Sequence, residues 1–598
     1  MFLVFSSFIY RRVPDLSDED YQNQITYLMN LFSHSISFVK ANKILDSFNV
    51  LTFFKNQQDY QEFLLYIKSQ KYWIDLSEER NREWGDIQTP LHLVDIIYQI
   101  LLQLEFTPNI IIEPTFGDGN FILFTDSYFP KIELIYGIEI SKIHKWNFII
   151  SLLIKLSDKT KLKNKLKYML YTEDFFKHDF SDIEKISNSA ELLIIGNPPW
   201  ITVSELSSLN SKNIPMKFNK KQFRGIESIT GKSNFDISES IIVQLINLFS
   251  EKKGKIALLC KNIVINNILK DLLRTQYKIG NIVSYSLDLQ KEFGKKCDAS
   301  LLILDLNSRE NYGICEVRDI YYPNNLIKKI GWFENKFVSN IEKYTKTNFL
   351  DGKSSFIWRQ GIKHDCSKVL ELKHNEEGKL FNKLGESVEV EEELIYPLMK
   401  SSDLREFNIN STNRRILLTQ MALNQDTLSI EMNFPKAWKY LQNHSQYFNR
   451  RKSIVYKNNL PFSIFGVGKY AFSPFKVAIS GMYKKPKFAF INEIDNKPVI
   501  FDDTCYYLSF NSYKEAVFTC SILNSRICLD FLDSITFIDS KRPYTKEVLM
   551  RINLQELSNQ LNFTDLKKIW NQHCFNNRKN LSEKDYYPFK NKVVKMKD

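Results

Sequence analysis

ELLIIGNPPWI, Glu191 to Ile201, is the stretch whose reading decides the rest of the chain. Leu192 to Ile195 form an unbroken apolar run, as expected of a strand buried on both faces. The run ends on Gly196, Asn197, Pro198, Pro199 and Trp200. A plain turn needs a glycine or asparagine and one proline at most. This one adds a second rigid residue and the largest aromatic side chain. The Asn197 side-chain oxygen and the Pro198 carbonyl are two acceptors in a loop whose prolines have no N–H to offer. Trp200 contributes a flat face. Such a set suits a planar ligand with an exocyclic amino group: two acceptors for its two hydrogens, and an aromatic face for its ring. Asn197, Pro198, Pro199 and Trp200 are therefore candidate catalytic residues.

Outward from this stretch, strand-like and helix-like segments alternate from about residue 90 to about residue 310. PLHLVDIIYQILLQL reads as a helix started by Pro90, NIIIEP as a strand, and NFILFTDSYF as the start of a helix near Asn120. ELIYGIEI is a strand, HKWNFIISLLIKL a helix, SESIIVQLINLFS a helix, GKIALLC a strand and NNILKDLLRT a helix. NIVSYSLDL and ASLLILDL close the series as two strands around FGKKCD. The alternation predicts an α/β fold with a mostly parallel, doubly wound sheet covered on both faces.

In such a sheet, ligands bind beyond the carboxyl ends of the strands, near the point where strand order reverses. The first strand closes on Glu113 and Pro114, and Gly117 and Gly119 then allow a tight turn with bare backbone. Glu139 ends the second strand about 20 residues past the glycine turn, where this fold places a carboxylate for ribose hydroxyls. A solvated loop acid has the same spacing. In YTEDFF, Asp174 can accept from an amino group and Phe175 can cover a flat ring.

A chain of 598 residues suggests about two to four domains. The net charge of +12 permits a basic groove for nucleic acid without requiring one. The cysteines form no C-x-x-C pair, which favours neither a zinc site nor a disulfide framework and suits a reducing cytoplasm. The opening MFLVFSSFIYRRVPD lacks a preceding basic region and a cleavage site, so no signal peptide is expected. No run reaches about 18 uncharged apolar residues, so no membrane span is expected. Apolar spacings of three and four predict helices from about residue 20 to about residue 75. Beyond about residue 345, short aromatic segments sit between basic turns, as in NRRILLTQ, FNRRKSIVY and KYAFSPFKVAISGMYKKPKFAF. These predict a separate mixed α/β or mainly β domain. The Lys-rich tail NKVVKMKD is expected to fray. The expected division is a helical extension over 1–80, a catalytic domain over 81–345 and a third domain over 346–598.

With its motifs in this order, the sequence resembles the γ-class DNA N6-adenine methyltransferases of bacterial type II restriction–modification systems. WGDIQTP, EPTFGDGNF, GIEI, EDFF and GNPPW are similar to successive motifs of that family, and EFGKKCDASLLIL is similar to its late catalytic segment. Phe116 stands where the family more often has a small residue. The resemblance implies a Rossmann-like sheet that binds S-adenosylmethionine, the methyl donor, with no metal. It implies cofactor contacts from Thr89, Pro90, Glu113, Pro114, Gly117, Gly119, Glu139, Ile140, Asp174 and Phe175, and a target-base contact from Phe293. It also implies a double-stranded DNA substrate with a flipped adenine. Its further implications are a separately encoded restriction endonuclease acting on the same site, a single subunit working alone, and a bacterial cytoplasmic location. The domain after residue 345 would read the DNA, with Arg414, Arg415, Arg450, Arg451, Lys452, Lys484 and Lys485 as candidate contacts. The first 80 or so residues show no nuclease arrangement.

Other readings of the same loop stay open. An N-P-P-aromatic motif also serves enzymes that methylate a protein glutamine amide or a ribosomal-RNA guanine N2, since both offer a planar amino group. A non-catalytic DNA-binding defence subunit could keep the fold.

Overall fold

The computed structural model describes residues 18–51, 53–71, 88–157, 166–201, 236–294, 298–456, 460–573 and 581–595. The opening segment 1–17, the charged stretch 75–86, Trp84–Ile87 of the WGDIQTP motif, residues 202–235, Cys297 and Cys574 lie outside these ranges. The chain divides into two compact units, with the division between Lys336 and Phe337.

The first unit is built on a sheet with strands β1 (Val50–Leu51), β2 (Ile110–Glu113), β3 (Leu134–Glu139), β4 (Lys167–Thr172), β5 (Leu192–Gly196), β6 (Gly254–Lys261), β7 (Ile279–Leu287), β8 (Ala299–Leu306), β9 (Ile314–Asp319) and β10 (Leu326–Phe333). Their spatial order is β1-β4-β3-β2-β5-β6-β8-β7-β9-β10. From β1 to β6 every neighbouring pair is parallel. β8 then runs antiparallel between β6 and β7. The chain steps outward from β2 to β3 and β4, and returns on the other side of β2 as β5 and β6. Strand order therefore reverses between β2 and β5, which are hydrogen-bonded neighbours in register Ile110↔Leu192 to Ile112↔Ile194.

This placement explains the composition of β5. All five of its residues are buried, and each buried Leu or Ile side chain contributes about 1.5–3 kcal/mol. The helices Leu91–Gln103, Lys142–Ser157, Ile237–Phe249 and Asn262–Thr275 form where the sequence predicts them. Pro90 is the N-cap of the first, and its carbonyl accepts from the amides of Leu93 and Val94. Asp236 caps the third by accepting from Ser238 N.

The expected helix from Asn120 does not form. Turns run through Phe124, and the only helix here is the single turn Thr125–Tyr128. The Phe121 carbonyl, which a continuing helix would offer to the Thr125 amide, instead accepts from the hydroxyls of Tyr98 and Thr125.

The N-terminal segment holds the predicted helices as Asp18–Leu31, Phe38–Ser47 and Gln57–Lys71. Between them lies a strand that helical spacing does not reveal, β1, which pairs with β4. Leu28, Phe32, Leu45 and Phe63 share one core with Ile111, Ile135, Phe148 and Leu193 of the sheet region.

The second unit is mixed α/β. One five-stranded sheet runs Arg359–Gln360, Cys505–Phe510, Phe475–Ser480, Phe488–Ile491, Asn408–Ile409. Another runs Leu380–Asn382, Glu371–His374, Arg414–Leu417, Ile395–Met399, Ile500–Phe501. Of the tail expected to fray, residues 591–595 end a helix that runs from Glu583 to Lys595, and 596–598 lie outside the described residues. Tyr586, Phe589 and Val593 are buried along one side of that helix, and both rings lie against Phe518. The described cysteines are all buried and free. Among the described residues no cluster of metal-ligating side chains occurs, and no helix is long and apolar enough to cross a membrane.

Candidate active site

The glycine turn after β2 is tightly built. Gly117 and Gly119 have φ of +53° and +77°, in the left-handed region that glycine adopts without strain. A Cβ on Gly119 would lie 2.1 Å from the Phe148 ring. The turn is tied to each of its neighbours. Gly117 N donates to Glu139 Oε2 at 2.8 Å, and Ser141 N donates to Glu139 Oε1 at 2.8 Å. Glu139 thus fixes the end of β3 to the glycine turn. Ile140, beside it, is 38% exposed and presents an apolar side chain at the same edge.

Thr89 and Pro90 are brought to this turn. Asn120 Nδ2 donates to the Thr89 carbonyl at 2.8 Å, and Asp118 N donates to Gln88 Oε1 at 3.1 Å. Asp118 in turn accepts from Asn147 Nδ2 at 2.8 Å and lies 2.9 Å from His144 Nδ1. Gln88 and Asp118 lie inside the WGDIQTP and EPTFGDGNF stretches but were not singled out there, and His144 and Asn147 carry no motif.

Glu113 and Pro114 are buried at the end of β2. A Cβ on Gly196 would lie 3.2 Å from Glu113 Cγ, so Glu113 occupies the space beside the end of β5. Burial, and after it the Glu139 carboxylate, pushes the Glu113 carboxyl well above the usual carboxylate range. Glu113 Oε2 and Thr115 Oγ1 are buried with no hydrogen-bond partner among the described residues. Buried polar atoms are nearly always paired, so two orphans beside a bare glycine turn suit a polar ligand.

Asp174 and Phe175 follow β4, and Glu173 N donates to the Glu139 carbonyl at 3.0 Å. Asp174 Oδ1 accepts from Phe176 N at 3.0 Å, while Oδ2 lies 3.2 Å from the exposed Lys177 ammonium. Phe175 is buried, edge-on to Phe176 and Phe180 at 5.4 Å from each.

The Asn197–Trp200 loop leaves β5 directly beside β2. Pro198 is buried, as is Asn197 Oδ1. Trp200 Nε1 donates to the Leu259 carbonyl at 3.4 Å, and Lys261 Nζ donates to the Trp200 carbonyl at 3.1 Å. The same ammonium pairs with Asp236 at 2.7 Å, so the end of β6 holds the loop. Lys261 was not singled out by its sequence, because a lysine at a strand end carries no distinctive pattern. Phe293 comes to the loop from far along the chain. Its ring lies edge-on to Trp200, with centroids 5.8 Å apart. The structure thus gathers Thr89, Pro90, Glu113, Gly117, Gly119 and Glu139 on one side of the switch point, and Trp200 with Phe293 on the other.

No family model matches the chain. The chain is 39% identical over 484 residues to the type II methyltransferase M.NspV of Nostoc sp. (strain ATCC 29411 / PCC 7524), spanning 80% of this chain and 98% of that protein. Among solved structures it is similar to the Type IIL restriction–modification enzyme MmeI in complex with DNA, with a TM-score of 0.52 at 11% identity. That match covers 91% of this chain and 81% of the other, and it is a likeness of fold. The strand order above makes the sheet of the first unit a doubly wound, Rossmann-like one. The chain belongs to the type II methyltransferases, the modification enzymes of restriction–modification systems.

Proposed function

We propose that the protein transfers a methyl group from S-adenosylmethionine to N6 of an adenine flipped out of duplex DNA. One observation carries this reading. The Asn197–Trp200 loop ends β5, the hydrogen-bonded neighbour of β2, and the turn after β2 has the bare backbone a cofactor needs. Family membership supports DNA as the substrate over a glutamine amide or an RNA guanine.

The residues fit the cofactor. A bare glycine turn, an acid at the end of β3 and the exposed Ile140 suit a nucleoside, while the unpartnered Glu113 oxygen suits the ammonium of an amino acid. When bound, S-adenosylmethionine supplies an electrophilic methyl group. The remaining work falls to the chain. Adenine N6 is out of reach inside a duplex, so the base must leave the stack. Trp200 and Phe293 offer it aromatic surfaces, and stacking of about 1–3 kcal/mol per base offsets part of the unstacking cost. Asn197 Oδ1 and the Pro198 carbonyl accept the two N6 hydrogens. This draws N6 towards tetrahedral geometry, frees a lone pair otherwise delocalised into the ring, and stabilises the positive charge that grows on N6. Pro199 and the Lys261 contact to the Trp200 carbonyl keep the acceptors still. The same reading assigns one subunit to one base, and a separately encoded restriction endonuclease to the same DNA site.

Asn197→Ala tests the mechanism. Transfer of labelled methyl groups to DNA should fall by about 100-fold or more, while binding of S-adenosylhomocysteine stays within about twofold of wild type. Wild-type transfer in that variant would refute the role of Asn197. Expression in an unmethylated host, followed by methylation-sensitive sequencing, identifies the modified base and its site. Marks on cytosine would overturn the adenine reading.

A further inference from the structure

Glu292 precedes Phe293 in the one-turn helix Leu289–Phe293. Its side chain is only 1% exposed, although it is a carboxylate. Burying a carboxylate is costly unless it is paired, and Glu292 is held from two directions. His92 Nε2 lies 2.6 Å from its Oε2, and the Tyr321 hydroxyl donates to its Oε1 at 2.5 Å. Burial, and after it Glu292, raises the Tyr321 phenol, which keeps that hydroxyl a donor. The Lys291 ammonium lies 4.3 Å over the Tyr321 ring and 4.0 Å from Glu292, closing the cluster on the exposed side.

The three partners come from separate parts of the unit. His92 stands in the first turn of the helix that Pro90 opens, three residues after Thr89. Tyr321 lies in the hairpin between β9 and β10. Glu292 lies in the connection from β7 to β8. This helical turn is fixed at both ends as well, by Asp288 Oδ1 accepting from the amides of Gln290 and Lys291 and by Gly294 in the left-handed region. A continuous run of contacts therefore leads from the glycine turn through Gln88 and Thr89 to His92, Glu292, Phe293 and Trp200.

We propose that Glu292 is a positioning residue that sets Phe293 against Trp200 from the same segment that lines the cofactor site, so that a formed cofactor site holds the target-base pocket in shape. This deepens the reading above and rests on it, since it takes Trp200 and Phe293 as walls of the base pocket. Loss of the carboxylate frees the Phe293 turn from His92 and Tyr321 without touching the glycine turn. The consequence is a defect in using DNA with cofactor binding intact.

The test uses the full chain, labelled S-adenosylmethionine, unmethylated genomic DNA of high complexity, and S-adenosylhomocysteine as the binding probe. Wild-type protein that transfers no methyl group to this DNA would defeat the functional reading itself. With an active wild type, Glu292→Ala is expected to lower kcat/KM for DNA at least tenfold and to leave the Kd for S-adenosylhomocysteine within twofold. Glu292→Gln, which keeps both hydrogen-bonding arms, is expected to recover activity to within threefold of wild type. His92→Ala added to Glu292→Ala should cost nothing more, because one link is already broken. Wild-type kcat/KM in Glu292→Ala overturns the proposal. So does a parallel loss of S-adenosylhomocysteine binding, which would make Glu292 a general structural post. Failure of Glu292→Gln to recover activity overturns it too.

Discussion

Glu113 shows how much a single residue can carry. Its carboxyl is buried, raised well above the usual range by burial and then by Glu139, and one of its oxygens has no partner among the described residues. Relative to an ordinary carboxyl, the free protein favours the neutral form of Glu113. A cofactor that brings an ammonium group favours the ionised form instead, so binding promotes loss of the Glu113 proton. Cofactor affinity is therefore expected to rise with pH above the ordinary carboxylate range. In Glu113→Gln that dependence should flatten and affinity should fall, as titration calorimetry would show. A pH dependence identical to wild type would mean that Glu113 does not meet the ammonium. Local pattern made Glu113 visible only as the last residue of a strand, and the family resemblance alone marked it as a cofactor contact. Its burial and its contact with Gly196 depend on β5 lying beside β2, a long-range pairing that no local pattern encodes. Asn197 to Trp200 were legible for the opposite reason: four unusual residues stand in one loop, and their chemistry can be read without neighbours.

Elements were legible where periodicity is strong, and lost where side chains compete for the backbone. The apolar runs of β2, β3, β5, β6 and β8 stand out because strands buried on both faces are continuously apolar. The NFILF segment carries helical spacing too, yet hydroxyls from Tyr98 and Thr125 take the carbonyl that a helix would need. The two residues of β1 have no periodicity to read, and only their pairing with β4 makes them a strand. The helix Lys142–Ser157 was easily seen, but the cost of its Lys145 was not. That ammonium is buried, 3.9 Å over the Phe53 ring and 3.3 Å from the Phe53 carbonyl. Burial brings its pKa down from 10.5 to about 8. Below about pH 8 the folded and unfolded chains both hold the proton, and the fold bears the full penalty. Between about 8 and 10.5 the unfolded chain binds more protons, so this lysine makes stability rise with pH, by about 3 kcal/mol over the window. Denaturant unfolding of wild type and Lys145→Met across that window provides the measurement. The pH slope of the first unit's transition should be shallower in the variant, and equal slopes would show that Lys145 does not lose its proton in the fold.

For the whole molecule, the excess positive charge matters through where it is spent. Of the basic residues picked out as DNA contacts, several are used inside the second unit. Arg414 pairs with Asp403 at 3.2 Å, and Arg415 pairs with Asp495 at 2.5 Å. Arg451 donates to the Ser463 carbonyl at 2.7 Å and stacks 3.8 Å from the Tyr456 ring. Arg450, Lys452, Lys484 and Lys485 are exposed. Sequence could not separate these groups, because an arginine in a basic run reads the same whether it faces a carbonyl or solvent. If the protein acts on DNA as proposed, the two groups should fail differently. Each phosphate contact contributes about 0.9 to the slope of log affinity against log salt. Replacing Arg450, Lys452 and Lys485 together by Gln should therefore lower that slope by up to about 2.7 and weaken binding to duplexes of any sequence. Arg451→Gln should instead lower the melting temperature of the second unit and leave the slope within about 0.5, since a half-buried cation bound to carbonyls releases few counterions. Fluorescence anisotropy with a labelled duplex over a range of salt concentrations, paired with thermal melts, distinguishes the two. An unchanged slope in the triple variant would move the DNA contact away from these three side chains.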